Sequence, residues 1–259
     1  YHCDQLGMLV WQDMVNGGSA YKHWFVTYLA TLMNWNHISF SDDEKHAGLL
    51  SRLHPEGKDE FRREITETIA FLYNHPSIVV WVPFNEGWGQ FDALAACEQI
   101  RTLDSSRLVD HASGWFDQKG GDILSLHYYF LKLKFKPESK RAAALTEFGG
   151  YSLSIPGHSC CKKVYGYKKF NSTGTLTYGY IDLIRQTILP AVKKGIGATV
   201  YTQLSDIEEE TNGIYTYDRE ICKIDPDTLR KWNRALKEAG ECKTSVSYTH
   251  LRAHETSLH

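Results

Sequence analysis

Six short apolar runs separated by helical patterns restrict this chain to an α/β fold built on a parallel sheet. The runs are Met8–Asp13, Ile78–Phe84, Arg107–Ala112, Asp122–Tyr128, Ala142–Glu147 and Ala198–Leu204. Between them, Phe61, Ile65, Ile69 and Leu72 recur at helical spacing, as do Trp24, Tyr28, Leu32 and Trp35. These stripes read as helices covering the sheet. A further amphipathic stretch, Leu176–Lys194, carries Ile184, Ile188 and Val192 on one face, with Pro190 expected to kink or interrupt it. The last helix is marked by Asp225 as N-cap, Pro226 at the first position, the stripe Leu229, Trp232 and Leu236, and Gly240 as a stop.

Two of the runs end in a glutamate. HPSIVVWVPFNEGWGQFD, from His75 to Asp92, places Asn85-Glu86 at the close of an apolar strand, and AAALTEFGG, from Ala142 to Gly150, does the same for Glu147. The carboxyl ends of strands are where parallel α/β barrels build active sites, because inward positions there point toward a common axis. A pair of carboxyl groups so placed suggests glycosidic bond cleavage, in which one protonates the leaving oxygen and the other attacks the anomeric carbon. Glu86 precedes Gly87, an exit into a loop lined by Trp88, and suits the acid. The Asn85 amide suits a sugar hydroxyl next to the reacting carbon. Glu147 is followed by Gly149 and Gly150, which allow a tight turn and close approach of substrate, and suits the nucleophile. A strand-end glutamate taken singly is as easily a cap or an ion-pair partner. Asn on one side of the first and a Phe-Gly-Gly turn after the second make the pair harder to dismiss.

Composition narrows the partners. With 259 residues, 42% hydrophobic and 23% charged, the chain has material for one large domain core. A net charge of −2 with scattered Lys and Arg excludes a basic nucleic-acid face. No apolar stretch approaches the roughly 18–20 residues of a membrane span. The six cysteines lack C-x-x-C spacing, so neither a zinc site nor a disulfide framework is expected, and the adjacent Cys160 and Cys161 read as loop thiols. Aromatic residues at 13% suit both sugar faces and core packing. The opening at Tyr1 without an initiator Met reads as a piece of something longer, which leaves the compartment open. The segment after Gly240 has no period; 241–259 is expected to be a disordered or artefactual tail.

The segments CDQLGMLVWQDM, HPSIVVWVPFNEGWGQFD, LTEFGGYS and ATVYTQLSDIEEETNGIYTYDRE, in that order, resemble the catalytic domain of glycoside hydrolase family 2. That family contains β-galactosidases, β-glucuronidases and β-mannosidases, and the resemblance covers roughly Tyr1 to Gly240. It implies an incomplete (β/α)8 TIM barrel with strands three to eight present, residues 1–240 forming a partial catalytic domain. Glu86 is then the general acid/base ending the fourth strand, and Glu147 the nucleophile ending the seventh. The missing partners are the first two barrel strands and the β-sandwich domains that precede the barrel in family members. No cofactor is required, with Mg²⁺ or Na⁺ as a conceivable aid and no metal ligands assigned.

Substrate-binding candidates beside Asn85 and Trp88 are His127, Tyr128, Tyr201 and Gln203. The resemblance puts His127 and Tyr128 where a group holds the nucleophile or contacts sugar, against a plain core histidine. Tyr201 and Gln203 stand where many members present a tryptophan platform, a departure that puts the stacking contact in question. Asp13, Asp110, His111 and Ser113 end other strands, within reach of sugar hydroxyls or in supporting structural roles, and Glu208–Glu210 reads as a solvated loop rather than a cation site. Family glucuronidases carry Asn-x-Lys before a Gly-Ile-Phe-Thr segment. Here Glu210-Thr211-Asn212 precedes Gly213-Ile214-Tyr215-Thr216, which would repel an anionic sugar. The resemblance therefore implies a retaining hydrolase of a neutral β-hexoside, β-galactoside first. Alternatives are an inactive fragment or carbohydrate-binding pseudoenzyme, and a metal-dependent hydrolase, for which no H-x-H spacing is present.

Overall fold

The computed structural model describes residues 1–241 apart from 21, 23, 26–27, 29–31, 34–37 and 130–132. The chain divides into two compact units, one of Tyr1–His127 with Glu138–Thr146 and one of Tyr128–Pro137 with Glu147 onward. Cys242 and the tail of the sequence lie outside the described residues.

The first unit holds a parallel sheet in the order β1 (Val10–Asp13), β2 (Ile78–Val82), β3 (Leu108–Val109). Trp11 pairs with Val80, and Trp81 with Val109. The first strand starts at Val10 rather than Met8 because α1 (His2–Leu6) ends on Gly7 with φ 66°, and the Met8 N–H bonds back to Cys3 O at 3.0 Å. The second stops at Val82 because Pro83 has no N–H for the ladder. The third is shorter than the Arg107–Ala112 run: pairing resumes beyond it only as a parallel bridge between Asn85 and Ser113.

Over this sheet pack α2 (Pro55–Leu72), which buries Phe61, Ile65 and Ile69 one turn apart, and α3 (Ala93–Leu103), which buries Ala93, Ala96, Cys97 and Ile100. Phe61 stacks on Phe84 with centroids 4.9 Å apart. Trp81 is wholly buried in this core, its indole N–H donating to Asp104 Oδ2 at 2.9 Å. The stripe expected from Trp24, Tyr28 and Leu32 does not face inward: all three are exposed, and among the described residues there Phe25 is buried, while Trp35 lies outside the described residues. Phe25 packs instead with Leu50 and Phe116 in a smaller cluster. β4 (Ile123–Tyr128) runs beside β5 (Ala142–Gly149), the first unit holding them up to His127 and Thr146. The segment entering β5 is anchored by Arg141, whose guanidinium grips Asp117 through Nη1 and Nη2 at 2.7 and 2.9 Å and Glu138 through Nε at 2.8 Å.

In the second unit α4 (Thr173–Leu183) starts from a reciprocal Ser172/Thr175 capping box and buries Leu176, Tyr180 and Leu183. Pro190 does interrupt this stretch. A π turn spans Ile184–Ile188, the Leu189 N–H bonding Ile184 O, before α5 (Leu189–Lys194) begins with the proline in its first turn. The short parallel pair β6 (Tyr151–Ser152) and β7 (Lys168–Lys169) precedes these helices, and β8 (Ile196–Thr202) follows them. The final helix, α6 (Pro226–Glu241), is capped by Asp225, whose Oδ2 accepts the Thr228 N–H at 2.7 Å. Its apolar stripe is half-buried, and Gly240 falls inside its last turn rather than ending it. Below β8 the fully buried Lys223 ammonium donates to Asp206 Oδ1 at 2.6 Å and to the Leu153 and Thr211 carbonyls, each at 2.9 Å. Three acceptors on one ammonium are what make burial of that charge tolerable.

Candidate active site

In the first unit, Glu86 sits just past β2 in a left-handed conformation, φ 50°, that a residue with a Cβ enters only at a cost of about 1–2 kcal/mol. It is held there by its own backbone: the Glu86 N–H donates to Ser113 O at 3.0 Å, and the Ser113 N–H donates to Phe84 O at 2.8 Å. The carboxyl group is fixed in turn by His127, whose Nδ1 lies 2.9 Å from Glu86 Oε1 and whose Nε2 lies 3.1 Å from Ser113 Oγ. Glu86, His127 and Ser113 thus close a ring of three hydrogen bonds. The His127 side chain is 1% exposed and that of Glu86 18%. Gly114 completes the seat: its φ is 76°, and a Cβ there would lie 2.4 Å from the His127 ring. His127, which the resemblance singled out, is tied by this hydrogen bond to Glu86. Asn85 and Trp88 are half-buried on either side of the Glu86–Gly87 turn, the Trp88 N–H donating to Asn85 O at 3.0 Å.

Behind the ring lies a buried polar layer. Ser125 Oγ is 2.5 Å from Thr146 Oγ1, which lies 3.3 Å from Ser113 Oγ, and the Gly114 N–H donates to Ser125 Oγ at 3.2 Å. Asp110 is wholly buried, and neither carboxyl oxygen has a well-formed hydrogen bond, Ser125 offering only a weak one. Desolvation pushes its pKa up to about 6, against the opposing pull of Ser125, His111 and His127. A carboxyl group with a raised folded-state pKa binds its proton more tightly when folded, so its penalty is absent below the ordinary range and grows as pH rises through about 4 to 6. Asp110→Asn should therefore stabilise the protein by about 3 kcal/mol at pH 7.5, from roughly two pK units, and by little at pH 4. Urea midpoints at the two pH values test this, and equal gains at both would show that ionisation is not the cause.

The second unit carries Glu147 near the carboxyl end of β5. Tyr129 donates its hydroxyl to Glu147 Oε2 through a short hydrogen bond and lies 3.4 Å from Thr202 Oγ1. The Tyr129 ring stacks on Tyr167 with centroids 4.2 Å apart and planes at 26°. Gly150 (φ 62°) leaves room for that stack, since a Cβ would meet Tyr167 at 2.3 Å, and its N–H donates to Thr202 O at 3.0 Å. Tyr201 stands edge-on to Phe148 and Tyr180, at 5.4 and 5.5 Å, and burial raises its hydroxyl well above the usual range. Gln203 directs its amide NH₂ to Glu210 Oε2 at 2.9 Å and Asn212 Oδ1 at 2.6 Å. Tyr128 is half-buried.

Tyr129 is the contact that sequence reasoning missed. Strand alternation carried past Ser125 and His127 selects Tyr129, not Tyr128, as the next residue on that face.

Residues 3–189, a span containing Glu86, His127 and Glu147, match the family described as "Glycosyl hydrolases family 2, TIM barrel domain". The chain belongs to this glycosyl hydrolase family. A β-galactosidase of Leuconostoc mesenteroides subsp. mesenteroides is 26% identical over 199 residues, covering 71% of this chain. β-Mannosidase B of Thermothelomyces thermophilus is 31% identical over 86 residues, 33% of this chain. The family 2 chain spans 18% and 6% of these two relatives. Among solved structures, a β-galacturonidase from Eisenbergiella tayi bound to galacturonate aligns with a TM-score of 0.52 at 18% identity, covering 93% of this chain and 42% of that one. An FMN-binding β-glucuronidase from Faecalibacterium prausnitzii aligns at 0.53 and 16% identity, covering 90% and 36%. At these identities the likeness is one of fold.

Proposed function

We propose that this family 2 chain carries the catalytic part of a retaining β-glycosidase acting on a neutral β-hexoside, with β-galactoside first. The observation carrying the reading is that the family match spans two strand-end glutamates, each held by a buried or stacked aromatic ring, His127 on Glu86 and Tyr129 on Glu147. In this reading β1, β2, β3, β4, β5 and β8 are barrel strands three to eight, within a catalytic domain of residues 1–240. The first two strands and the β-sandwich domains of the family are its partners in a longer protein.

Glu147 attacks the anomeric carbon while Glu86 gives its proton to the leaving oxygen, and the glycosyl-enzyme is then hydrolysed with Glu86 as base. The Tyr129 hydroxyl orients the Glu147 carboxylate and gives up part of that bond as the oxygen becomes an ester. Asn85 and Trp88 lie beside the acid and contact the sugar, with Tyr128, Tyr201 and Gln203 as further contacts. Gln203 is tied to Glu210 and Asn212, so the loop that would receive a sugar carboxylate presents an acid instead, which favours a neutral substrate. Double displacement needs no cofactor, and Mg²⁺ or Na⁺ enters only as an aid.

Proton NMR of the first-formed product from a panel of aryl β-hexosides tests the reading. The β-anomer is expected first, with galactoside or another neutral sugar turned over faster than glucuronide. An α-anomer first would sink retention, a preference for glucuronide would sink the neutral pocket, and no turnover of any member by folded protein would sink the hydrolase.

A further inference from the structure

We propose that His158, Asp218 and Glu220 bind one divalent transition ion, of which Zn²⁺ is the type, and that the ion clamps two turns of the second unit together. None of the three is among the glutamates or sugar contacts of the proposed reaction, so the site stands whether or not that reaction occurs.

Each ligand is presented by a turn that the local sequence dictates. His158 closes a turn with Pro156 and Gly157 at its centre: Gly157 has φ 84°, and the His158 N–H donates to Ile155 O at 3.1 Å. Asp218 and Glu220 lie on a hairpin closed by an antiparallel bridge between Tyr215 and Cys222 and by the Thr216 N–H on Ile221 O at 3.0 Å. There Asp218 Oδ1 accepts from Thr216 Oγ1 at 2.6 Å and from the Glu220 N–H at 3.2 Å, which leaves Oδ2 as the oxygen on His158. Buried Lys223 ties the two supports to each other. Its backbone N–H donates to Ile214 O in the hairpin at 2.7 Å, and its ammonium donates to Leu153 O, ahead of the histidine turn, at 2.9 Å.

His158 Nδ1 lies 2.7 Å from Asp218 Oδ2 and 3.8 Å from Glu220 Oε2, and one donor atom from each of the three residues falls within 4.8 Å of the others. Ligands that share an ion at about 2.0–2.2 Å sit roughly 3–4 Å apart, so small side-chain adjustments suffice to close the site. One imidazole nitrogen with two carboxylates suits Mn²⁺ through Zn²⁺ better than Mg²⁺ or Ca²⁺, which favour oxygen alone. Water completes the coordination, since Asp218 and Glu220 are exposed.

An ion pair needs one carboxylate, whereas here a single imidazole faces two. The neighbouring cations are committed elsewhere: Arg219 donates to Tyr217 O at 3.1 Å, and Lys223 to Asp206 Oδ1 at 2.6 Å. Asp206 adds a second, independent sign of missing positive charge. It is 3% exposed, and its Oδ2 is buried without a hydrogen-bond partner among the described residues. Burial raises the Asp206 carboxyl above the ordinary range, Lys223 opposing the rise and the Asp218 charge adding to it. Asp206 therefore stands within electrostatic reach of Asp218, and the three carboxylates together draw a cation.

The experiment titrates Co²⁺ into the full chain, stripped of metal by a chelator, and follows the visible bands of the ion, with melting curves in Zn²⁺, Mg²⁺ or Ca²⁺ alongside. Wild type is expected to show one saturable Co²⁺ site with nitrogen and oxygen ligands and no thiolate charge-transfer band, emptied by added Zn²⁺. Zn²⁺ should raise Tm progressively with its free concentration, and Mg²⁺ and Ca²⁺ should not. His158→Gln, Asp218→Asn and Glu220→Gln should each weaken the site by roughly tenfold or more and remove most of the Zn²⁺-dependent rise. Their metal-free melting should stay close to wild type, because an exposed ion pair contributes little. No saturable binding in wild type would leave an exposed ion pair only and overturn the proposal. Binding of equal strength in all three variants, or a thiolate band in the wild-type complex, would assign the ion to other side chains and overturn it as well.

Discussion

Glu147→Gly is expected to lower turnover of an aryl β-glycoside by roughly 10⁴-fold or more, the scale of removing a nucleophile that acts as part of a unit. Azide or formate should restore much of it by entering the space the side chain vacates and attacking the anomeric carbon in its place. With azide the product is a glycosyl azide of inverted, α configuration, because one displacement replaces two. The fold should survive the change, since Glu147 stands near the carboxyl end of β5, shortly before Gly149 and Gly150, and is only half-buried. What the variant loses is the acceptor of the Tyr129 hydroxyl, which keeps Thr202 as a second neighbour. Full activity in Glu147→Gly would show that the nucleophile lies elsewhere. Loss without rescue, in protein that melts like wild type, would argue for a binding role.

The largest effect on stability should come from Arg141→Ala. The guanidinium is 5% exposed on its side chain, grips Asp117 and Glu138 at once, and Asp117 is held well below the usual carboxylate range with Arg141 and His111 opposing the cost of desolvation. Removing it leaves two carboxylates facing each other without their cation. The cost should be about 3 kcal/mol, toward the lower end for a broken buried pair because both acids can reach water. For a chain of this size that is a fall in Tm of roughly 10 °C. The pH dependence has the opposite sign to that of Asp110. A depressed carboxylate pKa contributes stability above the ordinary range and loses it as pH falls, so the Arg141→Ala deficit should be full at pH 7 and shrink in acid. Calorimetry at pH 7 and pH 2.5, well inside the window between the ordinary and the depressed Asp117 pKa, separates the cases, and a deficit that does not change with pH would assign the loss to packing of the arginine stem instead.

How far the sequence could be read depended on whether a signal was local. All six apolar runs contain a strand, because short runs between turn residues and helices leave few alternatives. Their ends were misjudged where a single residue decided them: Gly7 delays β1 and Pro83 ends β2. Phe61, Ile65 and Ile69 face the core as their spacing implied. Trp24, Tyr28 and Leu32 have the same spacing and are exposed, because periodicity identifies a stripe without saying which side the sheet is on. Glu86 and Glu147 were legible as strand ends. The partner of Glu86 was not: His127 is 41 positions away and Ser113 is 27, and nothing local tells a carboxylate which distant ring it will meet.

The loop after β3 is an obvious place to diversify when a new aglycone or sugar is wanted, since glycines in loops are usually treated as free to vary. Position 114 is not free. A methyl group there would press on a ring held at both nitrogens, and the disturbance would pass to the carboxyl group two bonds on. A library that randomises this loop should hold Gly114 fixed and vary its neighbours. Active variants recovered with a side chain at that position would need to have moved the histidine, and their loss should be read first in leaving-group protonation rather than in sugar recognition.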